Sequence, residues 1–395
     1  MAVVRLAAAV IILILYGYRG PAPSFSARAA TPQASEQNPS RREANDVARF
    51  LAGLQGAPGS PFAELEMRPE WQNHQRMLDN AWKRAKVNFI DHLEQFQTHE
   101  LTSASSRDTV FYPFGGPDIL TAVTCFPHSP TYVLVGLEPA GSLPTVGQIQ
   151  EKDLPGYLAA VRETVASELG RSFFITRQMD HQFRGQVTDG LLVPILHLLV
   201  RTNHTILGFR QVRVDEEGKV VAWPGPNFKA PFWNKGVEVD FRNDTDESTH
   251  RLYYFGVNLS DKKLEQNQGF RTYLASLKST ATLLKATSYM THRPEFSLIR
   301  EVMLTESAMI LQDDSGIPFH YFHPDVWQRQ LYGQYTRPYG SFKWLEQPDL
   351  REAYMAPPGP RPLPLRIGYG YSQIPSNLLL AKKIAAMTTA SVQKH

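Results

Sequence analysis

The sequence predicts an α/β protein built on a mixed sheet, and three observations predict it. An apolar strand, a glycine-proline turn, a helix and a second apolar strand follow one another over about 109–138. Two stretches of period-two alternation around acidic turns fill the middle of the chain. Helical periodicity runs from about 44 to 105. Continuous apolar strands joined through a helix imply a parallel sheet covered on both faces, and hairpins add antiparallel strands.

The first residues carry the signs of a secretory signal peptide. Met1 to Arg5 is short and basic, and Leu6 to Tyr18 is an apolar run. A proline-rich stretch then leads to the small-x-small site Ala27, Arg28, Ala29. The run is shorter than the ~20 residues of a spanning helix, so residues 1–29 read as a cleaved leader, the alternative being an uncleaved anchor. The sequence therefore places the mature protein outside the cytoplasm, periplasmic or extracellular, with no stable membrane span after cleavage. The chain's formal charge is +3. The leader holds Arg5, Arg19 and Arg28 and no acid, which leaves a neutral mature chain without a footprint for nucleic acid. Cys125 is the single cysteine, so no intramolecular disulfide forms; its apolar setting reads as a packed core thiol.

Residues 30–43 are polar and contain prolines, as a flexible lead-in does. Residues 44–105 read as a helical subdomain. Val47, Phe50, Leu51 and Leu54 share one helix face, and after a Gly/Pro break Trp71, Met77, Trp82, Val87, Ile90, Leu93 and Phe96 continue the stripe. Residues 106–395 form the α/β domain. TVFYPF is a strand, Asp118 a candidate cap for a helix from Ile119, and TYVLVGLEP a second strand ending at Glu138. A helix over 157–169, a strand at 172–176 and a helix at 190–201 follow, Pro194 being tolerable only in a first turn. TILGFRQVRV pairs with KVVAW around Asp215 to Gly218, and GVEVDFRN with THRLYYFGVNL around Asp244 to Ser248. Beyond them lie a helix at 269–277, another near 295–305, a strand at 308–313, a strand over 365–371 and a final helix from Asn377.

The segment from Val110 to Glu138 resembles the opening of a Rossmann-type fold, as in methyltransferases and dehydrogenases. That resemblance implies Gly115 and Gly116 as the residues where a ligand approaches the backbone, and Glu138 as a ribose-binding carboxylate. The turn departs from GxGxxG, with Pro117 and Asp118 where a pyrophosphate would lie, and the negative charge would repel it. The resemblance thus extends to the fold and not to the nucleotide, and the cofactor stays unknown.

A second conspicuous stretch is QDDSGIPFHYFHPD, where Asp313 and Asp314 follow a strand and His320, His323 and Asp325 come soon after. Carboxylates beside imidazoles suit acid–base work. IPFHYF reads as extended, which points His320 and His323 to opposite faces and argues against a shared metal. Asp-Asp-Ser-Gly is also good turn chemistry, with one aspartate free for a site and the other tying down the loop. Arg293 is a candidate anion binder, with pairing to Glu295 or Asp314 the preferred alternative. GxSxG, HExxH, CxxC and the P-loop are absent.

The expected site is one small-molecule pocket at strand carboxyl ends. Asp118, Asp313, Asp314 and His320 are its catalytic candidates, and Gly115, Gly116, Glu138 and Arg293 its binding candidates. The alternative is a non-enzymatic envelope or secreted protein whose tyrosine-rich C-terminal third and N-terminal helices hold a partner. Export predicts that secreted material begins near Ala30 on N-terminal sequencing; a start at Met1 contradicts cleavage.

Overall fold

The computed structural model describes residues 41–384 except 103–108, 151, 172–189, 226–227, 230–233, 339 and 371–375. The expected leader at 1–29, residues 30–40 of the expected lead-in and the expected strand at 172–176 lie outside the described residues, while residues 41–43 of that lead-in are not flexible coil but open the first helix.

Helix α1 (Arg41–Leu51) and the short α2 (Ala63–Glu66) precede α3 (Pro69–Ala85), which runs on through a π-helical turn, α4 (Asp91–Phe96) and a second π-helical turn to Leu101. Then come β1 (Thr109–Pro113), α5 (Ile119–Cys125) and β2 (Thr131–Gly136), the βαβ unit expected at 109–138. Helices α6 (Val146–Gln150), α7 (Leu154–Arg171) and α8 (Leu192–Arg201) lead to the antiparallel strands β3 (His204–Val214), β4 (Val220–Ala222), β5 (Lys235–Asn243) and β6 (Thr249–Gly256). Helices α9 (Asp261–Glu265) and α10 (Gln268–Ser276) enter β7 (Thr280–Leu284), and α11 (Ser297–Glu306) enters β8 (Ser307–Gln312). The chain closes with β9 (Trp327–Gly333), α12 (Pro348–Met355) and β10 (Asn377–Lys383).

The ten strands among the described residues join one sheet in the order β4-β3-β5-β6-β2-β1-β7-β8-β10-β9. Strands β6, β2, β1, β7 and β8 are mutually parallel, with Phe111 level with Val133 on one side and Thr282 on the other. Both wings are antiparallel: β5, β3 and β4 beyond β6, and β10 then β9 beyond β8. The order reverses between β1 and β7. That is the switch point, where helices depart to opposite faces and leave a crevice at the strand carboxyl ends.

Burial on both faces explains the unbroken apolar strands. Val110, Tyr112 and Leu134 face the cluster that contains α1, α3, α5, α7 and α8. Phe111, Val133 and Val135 point the other way, toward α10, α11 and α12. The N-terminal helices share the first of these cores with the sheet. They are also fastened to it by polar bonds. Arg201 of α8 bonds Asp79 at 2.6 Å and the Ala52 carbonyl at 2.8 Å, and His74 sits between the Leu51 carbonyl and Arg162 of α7. Arginine can only donate, so His74 Nδ1 accepts and Nε2 carries the proton.

Four expectations about local structure change, and one strand arises where none was expected. Met77 and Val87 are exposed, because their spacing carries them off the 3.6-residue stripe that buries Trp71, Leu78, Ala85 and Phe89. Residues Phe319–Tyr321 form a 3-10 turn rather than an extended segment. The 365–371 stretch is no strand over its described residues; it ends in a 3-10 turn at Gly368–Gly370, and β10 occupies the place beside β8. The expected final helix from Asn377 is instead β10. Its leucines and alanine favour helices in isolation, but here they fill the gap between β8 and β9 with side chains buried on both faces. Finally, β9 itself is a strand without sequence warning, since WQRQLYG lacks clean alternation.

Candidate functional site

β1 delivers the chain to the switch point through Phe114, whose φ of +64° is left-handed, and then Gly115. A Cβ on Gly115 would lie 2.5 Å from the Tyr112 ring, so glycine is needed for the turn to fold over that phenol. Asp118 follows as the N-cap of α5, accepting from Thr121 N at 3.0 Å. Its other oxygen accepts from the Tyr112 hydroxyl at 2.8 Å and meets the Lys285 ammonium at 2.6 Å. Lys285 is the first residue beyond β7. It also donates to Thr121 Oγ1 at 2.7 Å and to Glu168 of α7 at 3.3 Å. Asp118, Glu168 and Lys285 are sealed from solvent.

Two carboxylates and one ammonium leave one negative charge too many for so dry a place. Burial, and then the charge of Asp118, push the Glu168 carboxyl up to about 8, while Lys285 draws it partly back. Lys285 is itself held above its ordinary value, because Asp118 and Glu168 together outweigh desolvation. Burial thus favours the protonated form of Glu168 beside the Asp118–Lys285 ion pair. Cys125 lies close by as an inert core thiol, its pKa pushed up to about 12 by burial.

The backbone then connects this cluster to β8. Ala286, next to Lys285, donates its N–H to Asp313 Oδ2 at 2.8 Å. Asp313 Oδ1 accepts from the Ser315 N–H at 3.0 Å and from its hydroxyl. Asp314 accepts from the Tyr289 hydroxyl at 2.5 Å and from Asn377 Nδ2 at 3.1 Å. Burial and the neighbouring Asp314 charge push Asp313 up to about 7, and burial raises Asp314 as well. Ala286, Ser288 and Tyr289 all have positive φ, at 52°, 55° and 53°. Non-glycine residues held so are strained, and strain of this kind gathers at functional sites. Tyr289 packs tilted against Phe342 and stacks with Tyr369, ring centroids 4.9 and 6.2 Å away. A cavity of about 10 Å³, room for one water, lies among Gln312, Asp313, Asp314, Gln347 and Asn377.

The chain matches no protein-family model, no curated protein and no solved structure. The site therefore stands on its own geometry.

Of the sequence candidates, Asp118, Asp313 and Asp314 come together on one edge, joined through Lys285 and Ala286. The GGPD and DDSG turns stand at the ends of β1 and β8 with β7 between them, and Lys285 and Ala286 bridge them. Gly115 and Gly116 form the β1 turn itself, and Glu138 lies half-buried just past β2. His320 is exposed on the 3-10 turn, its ring tilted against Tyr321 with centroids 4.3 Å apart, and His323 is exposed too. Arg293 is buried, and its guanidinium bonds neither Glu295 nor Asp314; the preferred pairing is not made. Both aspartates of the 313–314 pair are tied into the loop, instead of one tied and one free. Among the described residues no set of three or more His, Cys, Asp or Glu side chains could hold a metal. No helix among them is long and apolar enough to cross a membrane.

The residues for a nucleotide do not fit. The α5 N-terminus, which would hold a phosphate in a Rossmann-type fold, is filled by Asp118, and the Tyr112 ring fills the space under Gly115.

Sequence reasoning missed Lys285, Glu168 and Tyr289. Glu168 had a readable signal, since it falls on the buried stripe of α7 with Tyr157, Val161 and Val165. Its raised pKa gives a signed prediction. A carboxyl whose folded pKa lies above its ordinary 4.5 supplies stability at low pH that is lost as pH rises toward 8. Glu168→Gln mimics the neutral acid, so thermal melts should show a smaller loss between pH 5 and 8. Its midpoint at pH 8 should equal or exceed that of the wild type, and a lower one contradicts the neutral assignment.

Proposed function

We propose that the chain is an exported α/β protein that holds a small ligand over the carboxyl ends of β1, β7 and β8, with Asp313 and Asp314 as the acid–base pair. Hydrolysis is the reaction this pair suits. The observation that carries the reading is an aspartate poised near neutrality beside a one-water cavity, on left-handed backbone at a sheet switch point. A carboxyl titrating near 7 takes a proton from water as its oxygen attacks, and returns that proton to the leaving group. Tyr289 and Asn377 would fix Asp314 at the edge of the same cavity. Compartment rests on the leader's pattern of basic, apolar and small residues.

A second reading, non-enzymatic binding or support, is favoured by the sealing of Asp118 and Lys285. Asp313 is as deeply buried as Lys285, each 3% exposed, so on this reading all three side chains hold the scaffold together.

One substitution separates the readings. Asp314→Asn keeps the size of the side chain and a partner for Tyr289. The thermal midpoint should stay within about 2 °C of wild type, roughly the effect of 1 kcal/mol or less in a chain this long. A small molecule released from the denatured wild-type protein, detected by mass spectrometry, should be absent from the variant. A fall of several degrees, with no molecule released from either protein, supports the non-enzymatic reading instead.

A further inference from the structure

We propose that the loop between β7 and α11 binds the oxyanion group of a small ligand, a phosphate monoester or a carboxylate, through Arg293. The inference rests on the carboxyl edge being the ligand site, and it names the chemistry of one end of that ligand.

Arg293 is 9% exposed. Its Nε is shut off from water and has no acceptor. Among the described residues its guanidinium makes no hydrogen bond and no ion pair. The two carboxylates that sequence offers are engaged elsewhere or turned to solvent. Asp314 is taken by Tyr289 and Asn377, and Glu295 is exposed. A buried cation without a counter-ion is destabilising by several kcal/mol. The contrast within the chain is direct, because Arg201, also buried, bonds Asp79 and the Ala52 carbonyl.

The location fits a ligand and not a stray cation. Phe296, three residues on, packs edge-to-face on Phe114 of the β1 turn with centroids 5.8 Å apart. The loop thus lies across the switch point from Gly115. Arg300 of α11 steadies it, donating to the Thr291 carbonyl at 2.6 Å and stacking on Tyr321 at 4.7 Å. No carboxylate is bonded to Arg300 either, so a second positive charge stands beside the loop. Neighbouring His292 is held neutral, its pKa lowered to about 4 by burial, and its Nε2 is also sealed without a partner. A guanidinium presents parallel N–H groups that match two oxygens of a phosphate or carboxylate.

The test uses the full chain, with inorganic phosphate and succinate as probes and sodium chloride at matched ionic strength as the control. One or both anions should raise the wild-type thermal midpoint by about 2 °C or more over chloride. Phosphate alone points to a phosphate monoester, succinate alone to a carboxylate, and both to a pocket that reads charge and fork geometry only. Arg293→Met should abolish the rise. Its midpoint without anion should equal or exceed wild type, since an apolar stem replaces an uncompensated buried charge. An equal rise in Arg293→Met, no rise in wild type with either anion, or a loss of several degrees in the anion-free variant overturns the proposal. Failure here is distinct from failure of the Asp314 reading, because the probes are simple anions and Asp314→Asn is scored on the released ligand.

Discussion

An ammonium group sealed from water at the carboxyl ends of the central strands sets the terms for everything around it. Lys285 is desolvated, and each ion removed from water in this way costs several kcal/mol unless its partners are close and well aligned. Here the partners are Asp118 at 2.6 Å, Thr121 at 2.7 Å and Glu168 at 3.3 Å. They come from the cap of α5, its first turn and α7, so one side chain just beyond β7 ties two helices of one layer to the sheet. Asp118 serves twice, once as counter-ion and once as the acceptor that ends the β1 turn. Removing the turn's glycine or the cap would disturb the charge balance as well as the backbone.

The same anchor explains why strained backbone persists next to it. From Lys285 the chain passes through left-handed Ala286, Ser288 and Tyr289, and this passage lays an N–H on Asp313 and a hydroxyl on Asp314. Each left-handed residue costs on the order of 1 kcal/mol or more, so such a passage survives only where its surroundings over-determine it. The carboxyl edge therefore divides into two halves. Around β1 the charges are spent on holding the fold and on filling the place a nucleotide phosphate would take. Around β8 lie two carboxyls raised by burial, a one-water cavity and an aromatic group of Tyr289, Phe342 and Tyr369, the half on which the proposed ligand site rests.

Much of the architecture was legible because its signals are local. Phe111 and Val133 sit in apolar runs, Gly115 to Asp118 make a hinge, and the acidic turns at 215–218 and 244–248 define hairpins without knowledge of the rest. Strand β10 was not legible as a strand, because the preference of Leu378 to Ala381 is overridden by neighbours distant in sequence, such as Leu311 beside Leu380 and Tyr332 beside Leu378. Lys285 failed for the same reason. Nothing local says that β7 will lie beside β1, and without that adjacency a lysine after TATLL is an ordinary surface residue. Asp118 was readable as a cap from its place before Ile119, while its ion pair was not. Arg293 was read from nearby acids in sequence, and the fold sends those acids elsewhere.

The most direct measurement is a double-mutant cycle on Asp118 and Lys285, with unfolding free energies from urea titration. Asn remains a good helix cap, so Asp118→Asn removes the charge and leaves the cap. Lys285→Met removes the ammonium and keeps most of the stem. Each single change should be strongly destabilising, about 3–5 kcal/mol for the variant that strands a buried charge. The double variant should recover part of that loss, giving a coupling above about 1.5 kcal/mol. Costs that simply add, to within roughly 0.5 kcal/mol, would show that the pair does not hold this edge together.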